Sequence, residues 1–149
     1  MSPYTITARI FQTNPGNGFF RVVEKTVWKF ANGGTWDEIN DAHVLNIGDS
    51  GTSGILRLKN EKTGEDVTVA LGVHNYKRWG DVVTGLSGGL TATIIQAQYY
   101  EGSTPGRFAA REAQRSDYSV TSTQPTTRKW EVKYTVSEGE KLEANIIIY

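Results

Sequence analysis

The sequence predicts a mainly β protein (α+β in detail), a two-sheet antiparallel β-sandwich with a helical middle. Three observations carry that prediction. Apolar residues recur at every second position in several stretches, glycine-rich breaks fall between those stretches, and one internal segment is made of helix formers.

The elements follow in order. Tyr4, Ile6, Ala8 and Ile10 occupy one face of a first strand, with Thr5, Thr7 and Arg9 on the other. Phe19 to Phe30 and Ile55 to Leu58 read as further strands, separated by the breaks Asn32-Gly33-Gly34 and Gly48 to Gly54. Val67, Val69, Leu71 and Val73 repeat the alternation. Tyr76 to Leu86 loses it and places Trp79, Val82 and Val83 at helix-like spacing, so a helix is expected there. After Gly85 to Gly89, Ala92 to Tyr99 reads as a strand. Arg107 to Ser116, rich in Ala, Arg, Glu and Gln, reads as a helix. Thr121 to Arg128 is expected to be a hairpin loop. Trp130, Val132, Tyr134 and Val136, then Leu142, Ala144, Ile146 and Ile148, end the chain as two alternating strands. No internal repeat or linker divides residues 1–149, so a single domain is expected.

Composition excludes several kinds of chemistry. The absence of cysteine removes thiol catalysis, zinc–thiolate sites and disulfides together. Sixteen Lys and Arg balance 16 Asp and Glu, which leaves no excess positive field for nucleic acid or an anionic membrane. Hydrophobic content of 38% suits a globular core, and no apolar run approaches the ~18 residues of a membrane span. The start Met1-Ser2-Pro3-Tyr4-Thr5-Ile6-Thr7 lacks a basic stretch followed by an apolar one, and no Asn-x-Ser/Thr sequon occurs. A cytoplasmic protein is therefore expected.

Few motifs carry reactive chemistry. Gly48-Asp49-Ser50-Gly51 is similar to a serine-protease nucleophile loop, but a triad needs a histidine base and an orienting acid, and only His43 and His74 exist. The loop reads instead as a tight turn, or as a glycine-opened loop with backbone N–H groups facing a small ligand. Two distant histidines make no zinc set, and no glycine loop ends in Gly-Lys-Ser/Thr, so neither a metal nor a phosphate cofactor is expected. Asp37-Glu38 and Glu65-Asp66 could be glycosidase acids, but neighbours on a strand point to opposite faces. No catalytic residue is assigned.

Val73 to Trp79 differs from these. His74, Asn75, Tyr76, Lys77 and Arg78 follow an apolar strand and are flanked by Trp79. Directional polar groups beside aromatic rings are what a neutral sugar requires, for its hydroxyls and for its C–H face. The plainer alternative is a surface turn with Trp79 buried as an anchor.

Longer blocks carry a family resemblance. They include Val23-Glu24-Lys25-Thr26-Val27-Trp28, Phe30-Ala31-Asn32-Gly33-Gly34-Thr35-Trp36 and Ser50-Gly51-Thr52-Ser53-Gly54. Gly72-Val73-His74-Asn75-Tyr76-Lys77-Arg78-Trp79, Asp81-Val82-Val83-Thr84, Gln98-Tyr99-Tyr100, Arg111-Glu112, Glu138-Gly139 and Leu142-Glu143-Ala144-Asn145 continue them. Over essentially its whole length the chain resembles the fungal fruit-body lectins. That resemblance implies two sheets joined by a helix-loop-helix, an actinoporin-like arrangement similar to the sea-anemone pore-forming toxins. It also implies a non-catalytic cytoplasmic homotetramer with a defensive role.

The resemblance further implies two glycan sites per subunit and names residues for each. A site for Galβ1-3GalNAc (the T-antigen) or GalNAc maps to Ala31, Ser50, Gly51, His74 and Asn75. A site for terminal N-acetylglucosamine (GlcNAc) maps to Asp81, Val82, Thr84, Arg107 and Tyr118. At the first, Ser50 and Asn75 are expected to bond hydroxyls, Gly51 to bring a backbone N–H close, and His74 to donate or accept. At the second, Asp81 and Arg107 are expected to make charge-assisted bonds, Tyr118 to supply a ring and a hydroxyl, and Val82 an apolar contact. Asp49 departs from the family's commoner glycine, and the loop Glu101 to Gly106 differs in length. Tyr76 to Trp79 are expected to anchor the turn into a helix presenting Asp81 and Thr84. A cytolysin on the same fold is the competing reading, and it needs an amphipathic N-terminal helix where Tyr4 to Ile10 alternates as a strand.

Overall fold

The computed structural model describes residues 3–29 and 33–149. Phe30, expected to end a strand, and Ala31, expected at the disaccharide site, lie outside the described residues, as do Met1, Ser2 and Asn32. The elements are β1 (Tyr4–Gln12), β2 (Arg21–Val27), β3 (Gly34–Ile39), β4 (Ala42–Ile47), β5 (Ser53–Asn60), β6 (Glu65–His74) and β7 (Lys77–Val83). They continue as α1 (Ala92–Gln98), α2 (Pro105–Ala113), β8 (Asp117–Ser122), β9 (Arg128–Val136) and β10 (Lys141–Ile148).

The strands form a six-stranded sheet in the order β3-β4-β1-β10-β9-β8 and a four-stranded sheet in the order β2-β5-β6-β7. Pairing among the described strands is antiparallel except between β1 and β10, which run parallel from Thr5↔Lys141 to Gln12↔Ile148. The sandwich is therefore not purely antiparallel. A parallel pair needs a long crossover, and nearly the whole chain between the first and last strands supplies it.

Two cores explain what the sequence pattern shows and hides. Between the sheets, Ile6, Ala8, Trp130, Val132 and Ile146 of the large sheet meet Leu56, Val69, Leu71 and Val73 of the small one. On the far side of the small sheet, Ala70, Trp79 and Val83 pack against Ala92, Ile95 and Tyr99 of the α1 region and Ala110 of α2. The small sheet is thus a middle layer, with the helix pair on its outer face.

Two expected elements are exchanged as a result. Tyr76 to Leu86 is not a helix: Lys77–Val83 is strand β7, paired with β6 from Thr68↔Val83 to His74↔Lys77. Residues 79–83 are all buried, Trp79 and Val83 in the helix-side core and Val82 in the inter-sheet core. A strand covered on both faces shows no alternation. Conversely, Ala92 to Tyr99 is not a strand. Thr91 caps α1, its hydroxyl accepting from the Ile94 N–H at 3.3 Å, and Ala92, Ile95, Gln96 and Tyr99 are buried at helical spacing. The buried Gln96, which donates to the Ser53 carbonyl at 2.9 Å, and the β-branched run Thr91, Thr93, Ile94, Ile95 disguise that helix. The helix expected over Arg107 to Ser116 forms as α2. Its Pro105 lies in the first turn, and Gln114 ends it in the left-handed region.

The paired carboxylates sit on strands and diverge, as strand geometry requires. Glu38 meets Lys25 at 2.6 Å while Asp37 accepts from Asn46 Nδ2 at 2.8 Å. Glu65 meets Arg128 and Asp66 meets Arg57. No pair converges on a common point.

One close approach gives a direct test of the packing beneath the hairpin. Gly72 lies between Ser53 and Trp79 in the ladder, and a Cβ there falls 2.6 Å from Trp79 Nε1 and 2.7 Å from Ser53 Cβ. Trp79 is fully buried and has nowhere to retreat. Gly72→Ala is expected to destabilise the protein by about 1–3 kcal/mol, a melting temperature lower by several degrees in calorimetry at matched concentration.

Candidate functional site

Asn75 and Tyr76 join β6 to β7 as a two-residue loop, with φ of 47° and 66°. Two successive left-handed residues make the type I′ turn, whose twist matches a β-hairpin. Asparagine tolerates that region, but tyrosine rarely adopts it. Ser50 supports the turn, its Oγ accepting from the Tyr76 N–H at 2.9 Å. The Tyr76 side chain is 73% exposed. The stretch therefore forms a β-turn that projects Asn75 and Tyr76, with Trp79 buried as an anchor behind it, and no helix follows it.

The loop from Gly48 to Thr52, between β4 and β5, lies beside the hairpin. Gly51 N donates to the Val73 carbonyl at 2.8 Å, and Val73 N to the Thr52 carbonyl at 3.1 Å. The expectation that Gly51 offers its N–H to a ligand is thus corrected, because that donor is committed to β6. Gly51 (φ 99°) contributes clearance instead: a Cβ built there meets nothing within 4 Å among the described residues. Asp49 turns onto its own loop, accepting from the Ser50 N–H at 2.7 Å. Ser50 keeps a hydroxyl hydrogen to donate after accepting from Tyr76.

His74 is held by α2. Its Nε2 is 3.0 Å from Glu112 Oε2, its Nδ1 is 3.4 Å from Arg111 Nη1, and its carbonyl accepts from Gln114 Nε2 at 2.6 Å. A guanidinium only donates, so Nδ1 is the acceptor and Nε2 carries the hydrogen given to Glu112. Asn75 Nδ2 lies 3.3 Å from the same Nε2. Two donors do not bond each other, so the Asn75 amide hydrogens have no acceptor among the described residues. Arg111 is fixed between the rings of Tyr100 (4.9 Å) and Phe108 (4.8 Å), and Tyr100 stacks on Trp28 at 4.3 Å with the planes 2° apart. Burial raises the Tyr100 hydroxyl pKa to about 12. Ser50, Gly51, His74 and Asn75 thus converge at one corner. Arg111, Glu112 and Gln114, to which sequence reasoning assigned no role at the site, brace it from α2. Their signal is the Arg-Glu pair on a helix, legible only once His74 is placed opposite.

The second set gathers further along β7. Lys77, Trp79 and Asp81 share the helix-side face, so Asp81 lies about 13 Å along the strand from the hairpin. Asp81 is 3% exposed, and Tyr99 Oη donates to its Oδ2 at 2.7 Å. Burial raises the Asp81 pKa, opposed by the Tyr99 hydrogen bond, by Arg107, by the Val82 N–H and by Arg115. Arg107 stands in the first turns of α2, its Nε buried without a hydrogen-bond partner among the described residues. Tyr118 lies on β8, under the Arg115 guanidinium at 4.9 Å. Thr84 is half-buried just past β7. The edge strands of the two sheets, β7 and β8, meet here beneath α2. Val82 turns its side chain into the inter-sheet core, so it offers backbone here and no apolar surface.

Among the described residues, no group of three or more His, Cys, Asp or Glu is placed to hold a metal ion, and no helix is long and apolar enough to cross a membrane.

Comparisons with known proteins agree with this architecture. The family model described as fungal fruit body lectin matches residues 1–146. The Boletus edulis lectin is 57% identical over 144 residues, covering 97% of each chain. A crystal structure of the wild-type Xerocomus chrysenteron lectin superposes with a TM-score of 0.91 at 57% identity, covering 99% of each chain. A mutated form of that lectin gives a TM-score of 0.92, covering 99% of this chain and 98% of the other.

Proposed function

The chain belongs to the fungal fruit body lectin family, and we propose that it acts as one lectin domain with two separate glycan sites. The first takes Galβ1-3GalNAc or GalNAc at the corner of Ser50, Gly51, His74 and Asn75, with Ala31 assigned by the family resemblance. The second takes terminal GlcNAc between β7, β8 and α2, at Asp81, Thr84, Arg107, Tyr118 and the backbone of Val82.

One observation supports this reading most. The β6–β7 hairpin, the Gly48 to Thr52 loop and α2 lock together, and Asn75 is left as an outward-facing carboxamide beside an open glycine. A neutral sugar suits such a rim, since it needs directional donors and acceptors held rigidly with no net charge to neutralise. Asp81 and Arg107 suit a hydroxyl and an acetamido carbonyl respectively. The same reading includes a homotetramer, cytoplasmic residence and a defensive role against animals that feed on the fungus.

A glycan array tests it. The expected result is selective retention on Galβ1-3GalNAc, GalNAc and terminal GlcNAc structures. No binding to any of these at high protein concentration would end the two-site reading.

A further inference from the structure

Tyr99, the C-cap residue of α1, is fully buried, and its Oη donates to Asp81 Oδ2 at 2.7 Å. Its ring packs on Trp79 with centroids 5.0 Å apart. A phenylalanine would fill the same space, so what the hydroxyl adds is the bond to Asp81. A carboxylate with 3% exposure is costly to keep ionised without such donors. On the two-site reading above, we propose that Tyr99 is the positioning residue of the GlcNAc site. Its hydroxyl pins one oxygen of Asp81, so that the other is presented to the sugar as an ionised acceptor in a fixed direction.

The surroundings of Asp81 fit that role. Tyr99 reaches it from the α1 side, Arg107 from α2, Arg115 from the segment after α2, and the Val82 N–H from its own strand. Tyr118 lies close on β8, near enough to act on Tyr99. Arg115 is exposed and stacked on Tyr118, so water screens its pull on Asp81. The Tyr99 hydroxyl is buried with the carboxylate and is not screened in this way. After burial itself, it is the largest influence on Asp81, and it holds the carboxyl down against desolvation. Without it the folded-state pKa rises further. Binding that needs the ionised form is lost as pH falls through that pKa, so the loss then comes at a higher pH.

Calorimetric titration with methyl β-N-acetylglucosaminide across acid to neutral pH tests this, with Galβ1-3GalNAc binding as the control for folding. Tyr99→Phe should keep the disaccharide, bind the acetylglucosaminide about tenfold more weakly at neutral pH, and lose it at a higher pH than the parent protein. Unchanged affinity together with an unchanged acid limb overturns the proposal, and so does weaker binding without a shift of that limb, the mark of a merely structural tyrosine. Asp81→Asn separates the two levels of the argument. It should abolish GlcNAc binding at every pH, and if it does not, the site itself is wrongly placed and the proposal fails with it. Should Tyr99→Phe lose disaccharide binding too, the decision passes to the parent protein. Its buried Tyr99 hydroxyl proton should give a slowly exchanging NMR resonance that survives sugar binding and moves upfield as Asp81 is protonated, a neutral carboxyl being the weaker acceptor. Loss of that resonance on adding the sugar overturns the proposal.

Discussion

Glu65→Ala lowers the free energy of unfolding by about 3–5 kcal/mol, the cost of stripping one partner from a buried ion pair. Glu65 lies on β6 of the small sheet and Arg128 on β9 of the large one, so their ion pair ties the two sheets together. Both groups are nearly sealed from water, at 2% and 7% exposure. The contact is bidentate, Nε to Oε2 at 2.9 Å and Nη2 to Oε1 at 3.1 Å. Thr63 Oγ1 donates to Oε1 at 2.8 Å, and Arg128 Nη1 donates to the Tyr149 carbonyl at 2.7 Å. Alanine leaves a guanidinium buried without its counter-charge, which costs far more than the pair itself contributes. The paired replacement Glu65→Leu with Arg128→Met removes both charges and is expected near neutrality. Urea unfolding of the single and double variants, at one protein concentration, checks both statements. A single-variant loss below about 1 kcal/mol would show that solvent reaches the pair.

Asn75→Ala weakens Galβ1-3GalNAc binding by at least about 30-fold, the ~2 kcal/mol of a directional hydrogen bond lost with its partner left unsatisfied. GlcNAc binding is unaffected, since Asp81 lies about 13 Å along the strand from Lys77, the first residue beyond the turn. The left-handed backbone at Asn75 offers a control. Alanine strains that conformation and removes the carboxamide, whereas Asn75→Gly relaxes the backbone and removes only the carboxamide. Equal losses in both variants assign the effect to the side chain. Recovery in the glycine variant assigns it to the turn and refutes direct contact. Titration calorimetry with each sugar separates these outcomes.

Much of the fold is legible in the chain because most strands bury one face. Tyr4, Ile6 and Ala8, or Leu142, Ala144, Ile146 and Ile148, alternate because the outer side of the large sheet meets water. The edge strand β3 shows little pattern because it buries almost nothing, and β8 shows only Tyr118 and Val120. β7 hides for the opposite reason, being covered on both faces. Asn75-Tyr76 gave no hairpin signal, since the second turn position holds tyrosine where glycine is usual. Ser50 supplies what the turn lacks, from a loop 26 residues away.

By itself, the sequence determined the β class, the absence of thiol chemistry, the balanced charge and, through its long collinear blocks, the lectin family. These are properties of residue type and spacing along the chain. The tertiary structure alone decided which of these polar groups are taken up inside the protein. Gly51 N–H, one lone pair of Ser50 and both nitrogens of His74 are spent on neighbours distant in sequence, whereas Asn75 Nδ2 faces only the adjacent His74 Nε2 among the described residues. It alone exposed Tyr99 as the partner of Asp81. A hydrogen bond consumes a donor only where two atoms meet, and no local pattern records meetings between strands and helices that folding brings together.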